Sequence, residues 1–378
     1  MTPSTARLLI SDSEHHADML YISGIFVPDA FIAIGIGKEW HGLFSPLEVD
    51  RARKQSKFSH IELDSPWKDR AKARGRDGGL IAAAAEFLES HQLSRIEVPG
   101  DFQVAYADQL RSWGFELQVA NGSLFPEREI KSETEIRHLA HAEKLTKNSM
   151  RQAVEFLGSC GIDHNDILTH PETGKRIKSR DVRAVIETWL VGHGAMPAHT
   201  IVACGREGAD PHNVGHGFIK AGEPIIIDIF PRVLATGYWG DMTRTYIKGK
   251  ASRELKRMYQ AVKTAQSIGL EMVSEHVNAA SIHAAITDHF DSHGFRTGMR
   301  RGKQVGFFHG TGHGVGLEIH EAPRVSNIRQ TLLAGHVITI EPGLYYPKLG
   351  GIRLEDMVAV RRNGCDNLTR YPCHFELP

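Results

Sequence analysis

The segment HGTGHGVGLEIHE, residues 309–321, places three histidines and two glutamates among glycines. Imidazole and carboxylate groups bind metal ions and exchange protons near neutral pH. The spacing differs from the HExxH motif of helical zinc proteases, and the glycines disfavour a helix. Glycine also lets the backbone approach a ligand closely and adopt positive φ. The segment therefore predicts part of a metal or acid–base site whose other members lie elsewhere in the chain.

Two further segments place acids in apolar, β-branched surroundings. IIIDIF leads through a turn to GYWGDMTRT, and ITIEPGLYY leads through a glycine-rich turn to GGIRLEDMVAV. Asp228 and Asp241 are 13 positions apart, and Glu341 and Glu355 are 14 positions apart. In each case one acid lies in an apolar strand and the other on the returning strand. This similarity predicts a pseudo-symmetric domain in which two acid-bearing hairpins face each other.

Four acids in such surroundings predict a metal site. A buried carboxylate is costly in its charged form, and converging carboxylates raise one another's pKa. Divalent cations remove that cost, and carboxylates with one imidazole, for which His313 is the candidate, suit two such ions. Two neighbouring ions can hold a hydroxide and polarise a carbonyl. For any single acid, a surface salt bridge or a turn cap remains an alternative.

The elements that would position these residues form two domains. Residues 1–125 read as an α/β domain, with strands at MLYISGIF, AFIAIGI, RIEVPG and FELQVA and helices at GGLIAAAAEFLESHQL and YADQLRSWG. GIGKEW lacks the spacing of a phosphate loop and predicts a hairpin turn. The turn-rich NGSLFPERE predicts the linker. Residues 126–378 open with a capping box, Ser132 and Glu135, at the start of a long amphipathic helix.

The composition excludes several functions. Lys and Arg number 45 and balance 45 Asp and Glu, so no overall field attracts nucleic acid or a membrane. The four cysteines form no CxxC pair, which is typical of a reducing, intracellular setting. Neither a signal peptide nor a membrane-length apolar run is recognisable. We therefore expect a cytoplasmic protein.

The chain resembles the two-domain metallopeptidases that cleave Xaa-Pro bonds, prolidase and aminopeptidase P, which are relatives of methionine aminopeptidase. The resemblance rests on GREGADPHN, the two acid-bearing segments, HGTGHGVGLEIHEAPR and the linker helix REIKSETEI. It implies an α/β (α+β) fold, in which a creatinase/prolidase-type domain precedes a pita-bread catalytic domain. It also implies hydrolysis of the bond before proline by a hydroxide held between two metal ions, short peptides with proline in second position as substrates, and a homodimer.

The resemblance implies five metal ligands: Asp228, Asp241, His313, Glu341 and Glu355. Asp241 and Glu355 would bridge both ions, Asp228 would complete one site, and His313 and Glu341 the other. Glu341 would also carry a proton from the bridging water to the leaving nitrogen. Manganese is the ion expected first, with cobalt or zinc as alternatives.

Five further residues receive roles from the resemblance. His212 and His320 would hydrogen-bond the substrate and the intermediate, and Arg353 would pair with a ligand carboxylate. His309 would line the pocket for the proline ring, and Arg324 would bind the terminal carboxylate of a substrate. For any one of these histidines a surface or packing role remains open, as does a surface role for Arg324. Glu318 and Glu321 are expected to be structural or solvent-facing.

The first acid-bearing segment departs from the family pattern. The spacing from Asp228 to Asp241 is two residues longer, and Phe230 and Pro231 stand where the family commonly has a glycine. An even insertion preserves the alternation of side chains, so both acids can still face the same side. We expect a longer turn that alters the pocket nearby.

Three alternative functions remain open. A methionine aminopeptidase-like N-terminal exopeptidase is disfavoured by the N-terminal domain and by GHGVGLEIHE. A creatinase-like, metal-free hydrolase and a catalytically inactive pita-bread binding module are disfavoured because all five ligand positions are filled. Within the leading hypothesis, Arg324 and PKLGGIRLED favour a dipeptidase over an aminopeptidase for longer peptides.

Overall fold

The computed structural model describes residues 5–378. The chain divides into two compact units, and the boundary along the sequence lies between Arg128 and Glu129. The assignment of residues 1–125 and 126–378 as separate domains stays a prediction. Among the described residues, no helix combines the length and the apolar composition that crossing a membrane would need.

Residues 5–128 of the N-terminal unit contain one six-stranded mixed sheet and five α-helices. The strands are β1 Ala6–Ser11, β2 Phe31–Ile36, β3 Glu39–Phe44, β4 His60–Leu63, β5 Arg95–Val98 and β6 Glu116–Val119. The helices are α1 Ala17–Ser23, α2 Val49–Gln55, α3 Ser65–Ala73, α4 Leu80–Ser90 and α5 Val104–Ser112. The strand order is β4-β3-β2-β1-β5-β6, and β4 is therefore an edge strand.

Helices cover both faces of this sheet. Alternate side chains of β1 enter different cores: Leu8 packs with Phe87 of α4, whereas Leu9 packs with Met19 of α1. A strand buried on both faces reads as a continuous apolar run, which explains the pattern FIAIGI in β2. The predicted hairpin at GIGKEW is confirmed, because β2 and β3 pair antiparallel around Gly37, whose φ is +61°.

One prediction in this unit is wrong. MLYISGIF was expected to be a strand, but most of it belongs to helix α1, which the His16 side chain caps by accepting a hydrogen bond from Met19 N. The helix ends at Gly24, which adopts the left-handed conformation. An apolar run of this length fits either a buried strand or a short helix, and the capping contacts decide between them.

The C-terminal unit contains four helices and seventeen short strands. The helices are α6 Glu133–Ser159, α7 Ser179–Gly192, α8 Arg253–Met272 and α9 Ala279–Ser292. The first strands are β7 Gly161–Ile162, β8 Leu168–Thr169, β9 Ala195–Met196, β10 Ile201–Cys204, β11 Ile225–Ile229, β12 Arg232–Val233 and β13 Met242–Lys248. The next are β14 Gly298–Arg300, β15 Lys303–Val305, β16 Gly312–Gly314, β17 Glu321–Val325 and β18 Val337–Ile340. The last are β19 Gly343–Tyr346, β20 Gly350–Arg353, β21 Asp356–Arg361, β22 Gly364–Asn367 and β23 Glu376–Leu377.

Two main sheets organise this unit, each packed against a pair of helices. The first half, from α6 to β13, packs α6 and α7 on the sheet β10-β11-β13-β23. The second half, from α8 to β22, packs α8 and α9 on the sheet β17-β16-β18-β21-β22. The predicted capping box opens α6, since Ser132 and Glu135 exchange side-chain and backbone hydrogen bonds. Each half carries one of the acid-bearing hairpins.

Candidate metal centre

A cavity of about 720 Å³ lies in the C-terminal unit. All ten residues that the sequence assigned to the site line it: His212, Asp228, Asp241, His309, His313, His320, Arg324, Glu341, Arg353 and Glu355. Phe230, Phe308 and Ile319 add apolar surface. The residues that the sequence proposed from separate segments are therefore brought together in space, while their individual roles stay predictions.

The first hairpin presents Asp228 and Asp241. Asp228 lies in β11 opposite Thr243 of β13, and Asp241 lies two positions before Thr243, so both acids face the same side. The extra residues of the connection form a small hairpin whose strand β12 pairs with β9, where Arg232 lies opposite Met196. The insertion thus forms a longer turn, as expected, and leaves the alternation of the acids intact.

The second hairpin presents Glu341 and Glu355. Its two predicted strands are each split at an acid: Glu341 follows β18 immediately, and Glu355 immediately precedes β21. Because Ile340 lies opposite Asp356, the two glutamates occupy the next facing positions. The β19–β20 ribbon closes the connection between them.

His313 lies in β16 and points one ring nitrogen at the acids. Its Nδ1 lies 3.1 Å from Gly314 O, to which it donates, and its Nε2 lies 3.6 Å from both Asp241 Oδ2 and Glu341 Oε1. The neighbouring glycines serve close strand packing, because a Cβ on Gly312 would lie 1.9 Å from Thr339 O. No helix forms across residues 309–321, as the glycine content predicted, and Gly312–Gly314 form a strand.

Asp241, His313 and Glu355 form one group of ligand-type atoms in this cavity. One ligand atom from each lies within 4.8 Å of the other two, and all three residues are buried. Asp228 lies outside this trio, since its Oδ2 accepts a hydrogen bond of 2.7 Å from Arg353. Its Oδ1 is buried and has no hydrogen-bond partner among residues 5–378.

Burial and mutual repulsion disfavour the charged forms of these acids. Burial, followed by the charge of Glu355, raises the pKa of Asp241 well above its usual range. Burial, followed by the charge of Glu341, does the same for the pKa of Glu355. Burial raises the pKa of Glu341 to about 7 against the opposing effect of Arg353. A cation among these oxygens would remove the repulsion, so the donor set fits divalent metal ions.

The buried histidines are held neutral. Burial, followed by the proximity of His320, lowers the pKa of His313 to about 3, and burial followed by Arg353 lowers that of His309 to about 3. Since His313 Nδ1 donates to a carbonyl, its Nε2 carries the lone pair that a metal ligand needs. The sequence prediction of His313 as the imidazole ligand is therefore chemically consistent with its surroundings.

The two hairpins support each other's acids. Arg353, in the second hairpin, donates from NH2 to Asp228 of the first. Thr243, in the first hairpin, donates from Oγ1 to Glu355 Oε2 at 2.7 Å, and Glu355 N donates to Thr243 O at 3.1 Å. Such contacts fix the orientation of ligand side chains. Arg353 pairs with a carboxylate as the sequence analysis expected, whereas Thr243 was missed.

Glu143 of α6 was also missed. It is fully buried, and its Oε2 accepts a hydrogen bond of 3.0 Å from Asp241 N while its Oε1 accepts one of 2.8 Å from Thr369. Burial raises the pKa of Glu143 to about 7. A signal was available, because Glu143 follows Leu139 by four positions on the buried face of an amphipathic helix.

Tyr345 connects His309 to Arg353. His309 Nδ1 donates to Gly310 O at 2.7 Å, so its Nε2 accepts from Tyr345 Oη at 2.9 Å. Arg353 NH1 donates to the same hydroxyl at 2.9 Å. Both nitrogens of His309 are thus used within the protein, which leaves its ring to contribute van der Waals surface to the cavity. Tyr345 was not predicted, because its role depends on this spatial contact alone.

The remaining predicted residues are exposed at the cavity. His212, His320 and Arg324 are solvent-accessible, and the His320 ring lies perpendicular to that of His313 at 4.3 Å between centroids. Glu321, expected to be structural or solvent-facing, forms a buried ion pair with Lys131. Glu318 is exposed, and its backbone N–H donates to Glu321.

The chain matches known proteins over most of its length. Residues 128–362 match the family model described as Metallopeptidase family M24. An Xaa-Pro dipeptidase of Pyrococcus horikoshii is 35% identical over 247 residues, covering 64% of this chain and 63% of the dipeptidase. The aligned part thus spans less than two thirds of the length of that curated relative.

Solved structures share the fold over nearly the whole chain. The crystal structure of the prolidase from Pyrococcus horikoshii OT3 superposes with a TM-score of 0.79 at 26% identity, covering 98% of this chain and 95% of that chain. The X-Pro aminopeptidase from Thermotoga maritima MSB8 gives a TM-score of 0.81 at 21% identity, with 99% and 97% covered, which shows the fold alone. The predicted α/β fold of the prolidase and aminopeptidase P type is confirmed.

Proposed function

The chain belongs to metallopeptidase family M24, and we propose that it is a metal-dependent exopeptidase that hydrolyses the peptide bond preceding proline. The observation that carries the proposal is the cavity in which five ligand-type residues from two hairpins and one histidine strand meet. The similarity to an Xaa-Pro dipeptidase indicates the substrate class. Neither the cavity nor the similarity to the dipeptidase favours a methionine aminopeptidase-like enzyme or an inactive binding module.

Two divalent ions would be held by Asp228, Asp241, His313, Glu341 and Glu355. Asp228 Oδ1, which has no partner among the described residues, and the burial and repulsion that raise the pKa of Asp241 support this ligand set. When bound, the ions supply Lewis-acid polarisation of the scissile carbonyl and make water a nucleophile at neutral pH. We propose manganese first, because oxygen donors predominate, with cobalt or zinc as alternatives.

The protein's own residues would bind and orient the peptide. An Xaa-Pro bond has no N–H, so recognition must come from shape and from the peptide's ends. The ring of His309 offers a wall for the proline, and exposed Arg324 offers a cation for a terminal carboxylate. This arrangement favours dipeptides, in which that carboxylate directly follows the proline.

Glu341 would move the proton that the reaction requires. Its carboxylate lies 3.6 Å from His313 Nε2 in the cavity, where it can accept a proton from attacking water and pass it to the proline nitrogen. His212 and His320, exposed at the cavity, would donate hydrogen bonds to the oxygen that becomes negative. Arg353 would hold Asp228 and Tyr345 in place.

A matched pair of dipeptides tests the activity. Metal-stripped protein reloaded with Mn²⁺ should hydrolyse Gly-Pro and leave Gly-Ala intact, and the metal-stripped sample should be inactive. A longer Xaa-Pro-Yaa peptide should be cleaved more slowly than Gly-Pro if Arg324 binds the terminal carboxylate. Cleavage of Met-Ala-Ser without cleavage of any Xaa-Pro peptide would overturn the proposal.

Two finer proposals concern the protein's state in the cell. A homodimer is expected from the family resemblance, and a cytoplasmic location from the unpaired cysteines. Sedimentation of the purified chain and fractionation of cells test these separately from the activity.

A further inference from the structure

A second cluster of metal-binding side chains lies in the N-terminal unit. Glu39 and His41 alternate along β3 and therefore share one face of the sheet. His60 starts the parallel strand β4, directly opposite His41. One ligand atom from each of the three lies within 4.8 Å of the other two, and His60 Nε2 lies 3.2 Å from Glu39 Oε2.

The buried ring nitrogen of His41 has an unused lone pair or N–H among the described residues. Its Nδ1 is buried and finds no hydrogen-bond partner in the part of the chain that the structure describes. Burial, followed by the neighbouring His60 and His91, lowers the pKa of His41. The ring is therefore neutral near neutral pH, which is the form that binds a metal. An unpaired buried nitrogen costs stability unless something binds it.

His91 lies beside the same face, at the end of α4. Its ring centroid is 5.9 Å from that of His41. Its Nδ1 lies 2.9 Å from Phe87 O, to which it donates, and 3.0 Å from Ser90 Oγ, so its Nε2 carries the lone pair. A backbone carbonyl that fixes the tautomer in this way is common behind metal-ligating histidines. Glu62, on the same face of β4, is already occupied by the indole N–H of Trp67.

We propose that Glu39, His41 and His60 form a zinc site in the N-terminal unit, with His91 as its fourth ligand. Three imidazoles and one carboxylate match the donors that tetrahedral zinc takes. Zinc bonds of about 2.0–2.1 Å place ligand atoms about 3.3 Å apart. The trio lies within 4.8 Å, with Glu39 and His60 already 3.2 Å apart, whereas His91 lies outside the trio and has to move closer to complete the site. Glu39 and His60 are exposed and can rotate to bring the trio to the zinc spacing.

Zinc at this site would fasten an edge strand. β4 pairs with β3 alone at the border of the sheet, and His60 is its first residue. A bound ion would tie β4 to β3 and to the end of α4. The alternative is that the His41 and His60 rings, stacked at 4.4 Å, are simply a cross-strand packing pair. The two interpretations differ in whether zinc is bound.

Counting bound zinc in the full-length chain tests the site. Metal-stripped wild type, His41→Gln and His60→Gln are dialysed against the same free Zn²⁺, and zinc per chain is measured by mass spectrometry. Each variant should bind one zinc fewer than wild type, whereas His91→Gln should weaken that zinc about tenfold or more. The matched control is His15→Gln, since His15 is an exposed histidine of the same unit beside one carboxylate, Asp12.

The comparison separates this site from the metals of the cavity. Zinc bound at the cavity should be the same in wild type and in all variants, so it cancels when the zinc content of a variant is subtracted from that of wild type. Gly-Pro hydrolysis by Mn²⁺-loaded protein should also be unchanged in the variants. Equal zinc in wild type and His60→Gln overturns the proposal. His60 is exposed on an edge strand, so this variant decides the question even if His41→Gln fails to fold.

Discussion

The two acid-bearing hairpins of the C-terminal unit reach the same cavity by different routes. In the first, Asp228 sits within β11, and the chain returns to Asp241 through the additional β12 hairpin. In the second, Glu341 and Glu355 occupy breaks between strands, with the short β19–β20 ribbon between them. Turn length and strand continuity therefore differ, while all four acids line one cavity.

This difference shows what positions the acids. Strand alternation sets the face on which each acid lies, and contacts from the opposite hairpin fix its orientation. Arg353 of the second hairpin holds Asp228, and Thr243 of the first holds Glu355. Because the support is crossed, neither hairpin is expected to form its half of the site alone.

The largest effect is expected from removing one central acid of either hairpin. Asp241→Ala and Glu355→Ala should each lower turnover of Gly-Pro by at least about a thousandfold, because lost Lewis-acid activation is worth several kcal/mol. Bound manganese should fall in both. The metal-free variants should melt no lower than metal-free wild type, since each loses a repelling buried carboxylate.

Asp366→Ala provides the control for these variants. Asp366 is an exposed acid in β22 that pairs with Arg361, and its loss should leave turnover and metal content unchanged. Full activity in either Asp241→Ala or Glu355→Ala would contradict the assignment of that acid as a bridging ligand.

The sequence predicted the members of the site better than their supports. Alternation within IIIDIF and ITIE, together with the family resemblance, was enough to predict four acids that line one cavity, because these signals are local. Thr243 contacts Glu355, and Tyr345 contacts His309 and Arg353, through hydrogen bonds between different strands and loops, which no spacing in the sequence encodes. The glycines beside His313 were expected to allow approach to a ligand, whereas Gly312 makes room for Thr339 O. The local sequence pattern predicts on which face of a strand a side chain lies. The residues that it contacts across the sheet are known only from the folded structure.

A smaller effect is expected from breaking the crossed support. Arg353→Lys keeps the charge but loses the planar fork that reaches both Asp228 and Tyr345, and it should weaken manganese binding or kcat by about 10- to 100-fold. Thr243→Val removes the hydrogen-bond donor to Glu355 and should lower manganese affinity or kcat by about tenfold. Manganese titration and kcat/KM for Gly-Pro measure both effects.

The two substitutions should not be additive. Arg353 Nε donates to Thr243 Oγ1 at 3.2 Å. The fold-loss of kcat/KM in the double variant should therefore be smaller than the product of the two single fold-losses. Thr287→Val is the control, because the Thr287 hydroxyl bonds within α9 to His283 O. Strict additivity would show that the hairpins act independently.

Shortening the first hairpin should change the pocket and spare the metal. Deleting Ala235 and Thr236 leaves Leu234 and Gly237 as a two-residue turn between Val233 and Tyr238, which already pair. Manganese content should be unchanged, because an even deletion preserves strand alternation. Relative kcat/KM among Xaa-Pro dipeptides with small and large first residues should shift severalfold, since Phe230 at the start of this turn lines the cavity.

Deleting Ala235 alone supplies the contrast. A single deletion alters the turn by an odd number and should disturb the register that keeps Asp241 facing Asp228, with loss of bound manganese. If the double deletion loses manganese as completely as the single deletion, preserving the alternation of side chains is not enough to keep Asp241 facing Asp228.

The smallest expected effect concerns Glu143, which supports the first hairpin from α6. Folding raises the pKa of Glu143 from 4.5 to about 7. A carboxyl of this kind contributes stability that is full below its unfolded pKa and is lost as the pH rises through its folded pKa. In metal-free protein, that contribution of wild-type Glu143 should therefore disappear between about pH 4.5 and about pH 7.

Glu143→Gln should remove this pH dependence while keeping an acceptor for Asp241 N–H. The melting temperature of the metal-free variant minus that of metal-free wild type should thus become more positive by a few degrees as the pH rises through that window. Buried histidines titrate in both proteins and cancel in the difference. Glu155→Gln, at an exposed acid of the same helix, should give a flat difference. A flat difference for Glu143→Gln as well would mean that Glu143 is ionised in the native state throughout, and that its hydrogen bonds to Asp241 and Thr369 outweigh its burial.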